Sequence, residues 1–345
     1  MRLHATRLLV LAVAGAAAHR SVLLPRRQDE RCPARPGARV VEQDRASVAL
    51  RLRGGEMVLQ TTMLLAGDSA ITVKSVLAAI VRVLTMPFWF FDKVDKEVII
   101  EEGQKYVAVF DPLDGSSNVD ANIPTGTIFG IYEEPEGCEI DVDGDGVVSD
   151  TEMRDCLGAT LQAGNKLVVS GYCLYSAATS FVMSFGGGSC QGFTLDESVG
   201  EFVLTQPNMK IPARGKPIYS INEANRWQWD EPLREYVTAL QKGEGETGKQ
   251  YTARYLGSMV GDIHRTLLYG GIFGYPGDTK NPNGKLRLLY EAAPIAFLME
   301  AAGGRAIGGE GERILDIEPT NVHQRVPCFF GSADDVMEMR SYYKK

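Results

Sequence analysis

Short apolar runs bounded by turn residues occur in the first half of the chain and predict β-strands. Residues 105–112 form one such run, which ends at Asp-Pro, and residues 126–134 form another. Runs of this length fit strands that are buried in a sheet. Two more runs flank Glu197 between residues 192 and 205, and this spacing predicts a hairpin with its turn near that residue.

Helical patterns become frequent in the second half of the chain. They occur at residues 231–241, 258–269 and 286–302. A strand at 326–331 then precedes a final helix, for which Ser332 is a candidate N-cap. The mixture of strands and helices predicts an α/β or α+β fold in which sheets and helices pack in layers.

The overall composition is that of a globular protein. The chain has 345 residues, of which 44% are hydrophobic and 23% are charged, and this length suits one large domain or two medium ones. The formal net charge of −8 argues against a general nucleic-acid binder. Because the chain lacks an apolar run of about 18 residues, we expect neither a transmembrane helix nor membrane binding by the mature protein.

The first 53 residues differ in charge from the rest of the chain. They hold eleven arginines, no lysine and four acidic residues, a formal charge of +7, which leaves −15 for the remainder. A basic start followed by an apolar run at 8–18 is typical of a secretory signal peptide, and the Arg- and Ala-rich stretch after it is typical of a transit peptide. Residues 1–53 therefore predict a two-part leader into a plastid with extra membranes, or a simple secretory signal followed by a linker.

The segment at residues 110–118 carries the most informative chemistry. An apolar strand ends there in two carboxylates, Asp111 and Asp114, with the Leu113 carbonyl between them. Oxygen ligands in this arrangement suit a hard cation such as Mg²⁺. The Gly-Ser-Ser-Asn at 115–118 exposes successive backbone N–H groups, which can hold a phosphate. The pattern predicts a metal site beside a phosphate site.

This segment and several downstream motifs resemble the fructose-1,6-bisphosphatases, a family of metal-dependent phosphatases. The motifs that carry the resemblance are FDPLDGSSN (110–118), GTIFGIY (126–132), GEFVLT (200–205), YSINEAN (219–225), ARYLGSMVGDIHRTLLYGGIFGYP (253–276) and NGKLRLLYEAAP (283–294). The resemblance implies the sugar-phosphatase fold, an α/β (α+β) layered sandwich of sheets and helices. It implies a metal and phosphate subdomain at 54–205 and a sugar-phosphate-binding subdomain at 206–345.

The resemblance also implies roles for individual residues. Two or more Mg²⁺ ions are expected at Asp111, Asp114, Glu291, Asp68 and the Leu113 carbonyl. The reacting phosphate is expected at Gly115, Ser116 and Ser117. The other phosphate is expected at Asn222, Arg254, Tyr255, Tyr275 and Lys285, with Met259 against the sugar. Arginine, lysine and tyrosine donors suit a doubly charged phosphate. In the family the arginine matching Arg254 reaches into the neighbouring subunit's site, so a homo-oligomer, as a tetramer, is expected.

Residues 135–165 interrupt the pattern with a polar, acidic and Gly-rich stretch. They resemble the insertion that distinguishes the plastid enzymes of the family, in which thioredoxin reduces a disulfide and switches the enzyme on. Cys138 and Cys156 match that pair, and thioredoxin is then an expected partner. The alternative is that both cysteines are unpaired.

The same insertion contains a candidate calcium loop. Residues 141–152 match D-x-D-x-D-G-x₅-E, the pattern of an EF-hand loop. The candidate Ca²⁺ ligands are Asp141, Asp143, Asp145, Val147, Ser149 and Glu152. An entering helix is not predicted, because Pro135 and Gly137 precede the loop. The pattern therefore predicts either weak calcium binding or an acidic solvated loop without an ion.

Upstream of residue 105 the resemblance decays, and the N-terminal part of the fold is incomplete. The family has a Ser-Glu-Glu that supplies a metal ligand and helps to activate water, whereas this chain has Asp92 and Asp95 in an apolar context. Lys74 stands where the family has an acid. Two explanations stay open, a wrongly joined N-terminal sequence or a real loss of catalytic acids.

The resemblance implies Mg²⁺-dependent hydrolysis of the 1-phosphate of fructose 1,6-bisphosphate, in a plastid enzyme with a thiol switch. In such chemistry the metal ions hold the reacting phosphate, activate water and neutralise the leaving oxygen. The alternatives are a sedoheptulose-1,7-bisphosphatase and a catalytically impaired, phosphatase-like calcium-binding protein. The predicted partners are a sugar bisphosphate, further copies of the chain and thioredoxin.

Overall fold

The computed structural model describes residues 9–12, 48–53, 56–61, 98–101, 106–133, 160–198 and 201–344. Most of the predicted leader lies outside these residues, as do Lys74, Asp92 and Asp95. The candidate site residues outside them are Asp68, Cys138, Cys156, Asp141, Asp143, Asp145, Val147, Ser149 and Glu152. Among the described residues, no helix combines the length and the apolar character that crossing a membrane requires.

In the described part of the chain, ten strands form one large sheet. They are β1 (Leu9–Ala12), β2 (Val48–Arg53), β3 (Glu56–Thr61), β4 (Val98–Glu101), β5 (Tyr106–Asp114), β6 (Thr125–Glu133), β7 (Leu167–Tyr175), β8 (Thr179–Ser184), β9 (Gln191–Asp196) and β10 (Glu201–Gln206). Their spatial order is β3-β2-β10-β9-β8-β7-β6-β5-β1-β4. Strands β5 to β10 follow one another as antiparallel neighbours.

The predicted strands of the first half are present in this sheet. The run at 105–112 becomes β5 and extends to Asp114, and the run at 126–134 becomes β6. Strands β9 and β10 form the predicted hairpin, with Asp196 opposite Glu201 on either side of Glu197. Strands β1 and β2 lie within the predicted leader, and β1 pairs in parallel with β5. A short apolar run can form a sheet strand as well as the centre of a signal peptide, so removal of the leader stays a prediction.

The rest of the described chain contains a five-stranded sheet, a two-stranded sheet and four α-helices, with short helical turns between them. Five strands pair in the order β12 (Thr252–Ala253), β11 (Ile218–Ser220), β13 (Ile272–Tyr275), β17 (Cys328–Gly331) and β15 (Arg305–Gly308), and β14 (Leu286–Arg287) pairs with β16 (Arg325–Val326). The helices are α1 (Glu231–Lys242), α2 (Met259–Tyr269), α3 (Ala293–Ala301) and α4 (Ala333–Tyr342). Layers of sheets and helices of this kind confirm the predicted fold class.

The helix predicted at 286–302 is wrong in its first half. The structure has strand β14 at 286–287, a π-helical turn at Leu288–Ala292 and only then α3. Pro294 lies in the first turn of α3 and has no backbone N–H, so a regular hydrogen-bonded helix cannot run through it from residue 286. Ser332 directly precedes α4 as predicted, but its hydroxyl accepts a hydrogen bond from the Gly271 N–H (3.3 Å) rather than capping the helix.

The core lies on both faces of the five-stranded sheet. Neighbouring residues of its strands point to opposite faces, as the pleat requires. Phe273 and Phe330 belong to the cluster that faces α2, α3 and the large sheet, whereas Ile272 and Phe329 belong to the cluster under α1 and α4. Helix α3 packs between the two sheets and is buried along its length. The layer order is therefore large sheet, α2 with α3, small sheet, and α1 with α4.

Candidate active site

The end of strand β5 brings two carboxylates into one cluster. Residues three apart in a regular strand point to opposite faces of the sheet. The pairing of β5 with β6 shifts in register between Asp111 and Asp114, and such an irregularity re-aims the side chains. Thr127 holds this segment in place, because its hydroxyl donates to the Pro112 carbonyl at 2.8 Å.

Glu291 completes the cluster from the π-helical turn that precedes α3. Each of Asp111, Asp114 and Glu291 has a carboxylate oxygen within 4.8 Å of one from each of the others. The three residues are only 5%, 8% and 1% exposed. Buried carboxylates are paired or coordinate metals, and hard divalent cations prefer oxygen ligands. The donor set therefore fits Mg²⁺.

Burial disfavours ionisation of all three carboxyl groups. Burial, followed by the negative charge of Asp111, raises the pKa of Asp114 to about 7. Burial raises the pKa of Asp111, and burial together with the charge of Asp111 raises that of Glu291 well above its usual value. Like charges in a dry site disfavour ionisation, so protons compete here with a metal ion.

Arg287 balances part of this charge and was not among the residues found from the sequence. Its Nη1 donates to Glu291 Oε1 at 3.1 Å, and its backbone N–H donates to Glu291 Oε2 at 2.7 Å. The spacing of four residues between Arg287 and Glu291 is that of an ion pair on one helix face, so the signal was present in the sequence. Next to Glu291, the Tyr290 hydroxyl and His323 Nδ1 share a hydrogen bond of 3.0 Å, which anchors this turn.

The phosphate loop follows the two aspartates directly. Gly115 has a φ of 78°, a left-handed conformation that glycine adopts at little cost, and it begins the 3₁₀ turn Ser116–Ala121. The first N–H groups of such a turn have no partner inside it, so those of Ser116 and Ser117 can point to an anion. Asn118 ties the loop to a second segment, because its Nδ2 donates to the Gly257 carbonyl at 2.9 Å.

The structure brings three of the predicted distal-phosphate residues together, from the loop before α2, from β13 and from the loop before β14. Tyr255 and Tyr275 are hydrogen-bonded to each other, and the Lys285 ammonium lies 5.7 Å from the Tyr275 ring centre. Burial is the main cause of the raised pKa of both tyrosines, and the charge of Asp114 contributes to it. Tyr255 and Tyr275 therefore lie within electrostatic reach of the cluster of Asp111, Asp114 and Glu291.

The remaining distal residues flank strand β11. Asn222 caps the short helical turn that follows β11, and its Oδ1 accepts from the Ala224 N–H at 3.1 Å. The Arg254 backbone N–H donates to the Tyr219 carbonyl at 2.9 Å, while its guanidinium remains at the surface. Met259, the first residue of α2, is 5% exposed. One residue later, the Val260 N–H lies 3.4 Å from Asp114 Oδ2 and links α2 to the metal cluster.

Comparison with known proteins agrees with this arrangement. The profile described as "Fructose-1-6-bisphosphatase, N-terminal domain" matches residues 67–207, and that described as "Fructose-1-6-bisphosphatase, C-terminal domain" matches residues 211–344. Fructose-1,6-bisphosphatase 1, chloroplastic, of Arabidopsis thaliana is 51% identical over 253 residues, which is 73% of this chain and 60% of the relative. The chloroplastic fructose-1,6-bisphosphatase of Spinacia oleracea is 50% identical over 255 residues, with the same coverage.

Solved structures show the same likeness. The T-state crystal structure of Leishmania major fructose-1,6-bisphosphatase superposes with a TM-score of 0.65 at 42% identity, over 73% of this chain and 74% of that one. Its apo form gives a TM-score of 0.65 at 39% identity, over 81% and 87% of the two chains. The chain spans about 60% of the length of the curated plant relatives that it matches.

Proposed function

Because the chain belongs to the fructose-1,6-bisphosphatase family, we propose that it hydrolyses the 1-phosphate of fructose 1,6-bisphosphate to fructose 6-phosphate and phosphate. One observation carries this proposal. A buried cluster of three carboxylates lies directly beside a glycine-led phosphate loop, and α2 connects both to a group of phosphate donors.

We propose that Asp111, Asp114 and Glu291 hold Mg²⁺, with the Leu113 carbonyl as a further ligand. Magnesium at such a site neutralises the charge that builds up on the phosphate and activates the attacking water. The protein's own part is to keep the three carboxylates together in a dry site and to hold the reacting phosphate at the N–H groups of Ser116 and Ser117.

The other phosphate is held, in this proposal, by the distal group Asn222, Arg254, Tyr255, Tyr275 and Lys285. These side chains supply amide, guanidinium, hydroxyl and ammonium donors, which suit a phosphate dianion. Met259 offers an apolar surface to the sugar. Binding the non-reacting phosphate fixes the reacting one against the metal cluster, and orientation of this kind supplies a large part of a rate enhancement.

Phosphate release by the full chain with Mg²⁺ tests the proposal. Fructose 1,6-bisphosphate and sedoheptulose 1,7-bisphosphate are compared as substrates, with Asp111→Asn as the inactive control. We expect Mg²⁺-dependent turnover with preference for the fructose substrate. Preference for the seven-carbon sugar would assign the alternative substrate, and absence of turnover with both would contradict a phosphatase function for this chain.

Location and assembly are also proposals. The plant relatives are named as chloroplastic, and residues 1–53 resemble a two-part leader, which together support import into a plastid by that leader. The exposed guanidinium of Arg254 supports a homotetramer in which this side chain reaches a neighbouring site. Light scattering of the full chain, with Arg254→Ala assayed for activity, tests the assembly.

A thiol switch in the insertion at 135–165 is supported by the positions of Cys138 and Cys156. We expect a dithiol or reduced thioredoxin to raise activity, and Cys138→Ser to abolish this response without lowering the reduced activity. Cys190→Ser is a matched control, because that thiol is buried in the core. A response that survives in Cys138→Ser would contradict the switch.

A calcium site in the same insertion is the second candidate function, favoured by the match of residues 141–152 to an EF-hand loop. Calcium titration by calorimetry is expected to give dissociation constants in the range of about 0.1–1 mM, the range of weak sites. Glu152→Gln removes the expected bidentate ligand and should abolish the heat. If the wild type gives no heat, the calcium proposal is wrong while the phosphatase proposal is unaffected.

A further inference from the structure

Asp262 is a buried carboxylate in the first turn of α2 that the proposed reaction does not use. The residue has no exposed surface. Its Oδ1 accepts from the Ser220 hydroxyl at 2.8 Å and from Arg265 Nη2 at 2.7 Å, and its Oδ2 accepts from the Leu256 N–H at 3.0 Å. Because Arg265 lies on α2 itself, this single carboxylate joins two other segments to the helix.

These two segments carry three of the five proposed distal-phosphate residues, Asn222, Arg254 and Tyr255. Ser220 is the last residue of β11 and stands two residues before Asn222. Leu256 directly follows Arg254 and Tyr255, in the loop that leads into α2. The segments that present these donors are thus hydrogen-bonded to Asp262, one through the Ser220 hydroxyl and the other through the Leu256 backbone N–H.

The same helical turn also contacts the metal cluster. The Val260 N–H lies 3.4 Å from Asp114 Oδ2, two residues before Asp262. Residues of one helical turn move together because their backbone hydrogen bonds fix them. The position of the distal group relative to the metal cluster therefore depends on how firmly the two substrate-binding segments are held to α2.

We infer that Asp262 is a positioning residue, which sets the distal-phosphate donors at the correct place relative to the metal cluster. This inference rests on the proposed function. It assigns to Asp262 an effect on the recognition of the non-reacting phosphate and no part in the bond-breaking step. It explains why a residue that cannot reach the substrate is a fully buried acid rather than an apolar side chain.

The chemistry of the carboxylate makes Asp262→Asn an informative change. The carboxylate is an acceptor at both oxygens, and all of its neighbours here are donors. An amide of the same shape replaces one acceptor by an NH₂ group, which then faces a donor. With NH₂ in place of Oδ2, the Leu256 N–H keeps only its longer contact of 3.2 Å to Oδ1. With NH₂ in place of Oδ1, Arg265 loses its acceptor, and the Ser220 hydroxyl stays bonded only by accepting. In both cases the two segments are held less firmly to α2.

The test compares two substrates of the full chain in Mg²⁺. Fructose 1,6-bisphosphate uses both phosphate sites, whereas fructose 1-phosphate has only the reacting phosphate. We expect Asp262→Asn to lower kcat/KM for the bisphosphate by about 10- to 100-fold, the effect of losing a charge-assisted hydrogen bond. For fructose 1-phosphate we expect a change of less than about twofold.

Asp335→Asn is the matched control. Asp335 is also fully buried, and it pairs with Arg214 and Tyr251 under α4, outside the distal group. General loosening of the fold by either variant would lower kcat/KM for the two substrates equally. Ser220→Ala is a second, milder variant that keeps the charge, and we expect it to reduce the bisphosphate value selectively by about threefold.

Equilibrium binding separates failure of the inference from failure of the proposed function. If the wild type turns over neither substrate, the proposed function is wrong, and calorimetry with fructose 6-phosphate still reports on the distal site. We expect the dissociation constant for fructose 6-phosphate to rise by about tenfold or more in Asp262→Asn. An unchanged constant, no binding to the wild type, or equal losses on both substrates would overturn the role assigned to Asp262.

Discussion

The three buried carboxylates predict that Mg²⁺ binding depends steeply on pH. A metal ion binds the ionised carboxylates, so protons that remain on them at a given pH must leave first. The pKa of Asp114 is raised to about 7 by burial and by the charge of Asp111. Changing the pH between 6 and 8 therefore moves this group from mostly protonated to mostly ionised.

The size of the effect follows from this pKa. One proton that must leave from a group with a pKa of about 7 weakens Mg²⁺ binding about tenfold at pH 6 compared with pH 8. The pKa values of Asp111 and Glu291 are raised as well, by burial first. Loss of a second proton on binding would increase the ratio towards about a hundredfold.

Isothermal calorimetry measures both quantities. Titration of Mg²⁺ at pH 6, 7 and 8 gives the affinities, and repetition in buffers of different ionisation enthalpy gives the protons released. We expect about one proton or more per bound ion at pH 6. Asp114→Asn should flatten the pH dependence, and Asp335→Asn, a buried carboxyl outside the cluster, should leave it unchanged. Equal affinity at pH 6 and 8 without proton release would refute the reasoning.

The same groups predict how stability changes with pH when a chelator removes metal. A carboxyl group whose pKa is raised on folding stabilises the fold fully when the pH is below the pKa of that group in the unfolded chain. This contribution is lost as the pH rises to the pKa of the group in the folded protein. For Asp114 the window runs from 3.8 to about 7. The urea midpoint of the metal-free protein is therefore expected to fall across this window, and saturating Mg²⁺ should restore it.

Three substitutions test the packing around the site by urea unfolding. Gly126→Ala would put a Cβ 2.6 Å from a carbonyl oxygen of β7, so we expect the free energy of unfolding to fall by about 1–3 kcal/mol. An unchanged free energy of unfolding would show that the two strands can move apart at no cost. Thr127→Val removes the hydroxyl that donates to the Pro112 carbonyl between the two aspartates. We expect the free energy of unfolding to fall by about 1–2 kcal/mol and Mg²⁺ binding to weaken. Arg214→Met leaves Asp335 and Glu338 buried without their cation, so we expect the free energy of unfolding to fall by about 3–5 kcal/mol. A fall of less than about 1 kcal/mol would mean that water reaches the two carboxylates.

Local patterns were sufficient to predict strands β5, β6, β9 and β10 and to mark the two aspartates as candidate ligands. The apolar run that ends at Asp111 predicts a buried strand with a carboxylate at its end. Both features can be recognised from residues that are neighbours in the sequence. The hairpin around Glu197 is equally local. The contribution of Glu291 came from resemblance to a family, because its distance of 180 residues along the chain from Asp111 hides the contact from any local pattern.

Other features depend on tertiary contacts that no local pattern shows. The stretch at 286–302 has helical spacing throughout, yet its first residues pair with β16, and Pro294 prevents one continuous helix. Ser332 has the sequence position of an N-cap, but its hydroxyl accepts a hydrogen bond from the Gly271 N–H and does not cap the helix. Asp262 reads as an ordinary acidic residue near the start of a helix, and only the fold shows which two segments it joins.

In the proposed function, the first turn of α2 would also influence which sugars the protein accepts. At one end it contacts the metal cluster through Val260, and two residues later it holds the distal donors through Asp262. These two contacts lie about 3 Å apart along the helix axis, so the turn would fix the spacing between the two proposed phosphate sites. In the proposed function, a bisphosphate with one more carbon between its phosphates would have to bend to match that spacing, and the length of the sugar would then be a criterion of selection.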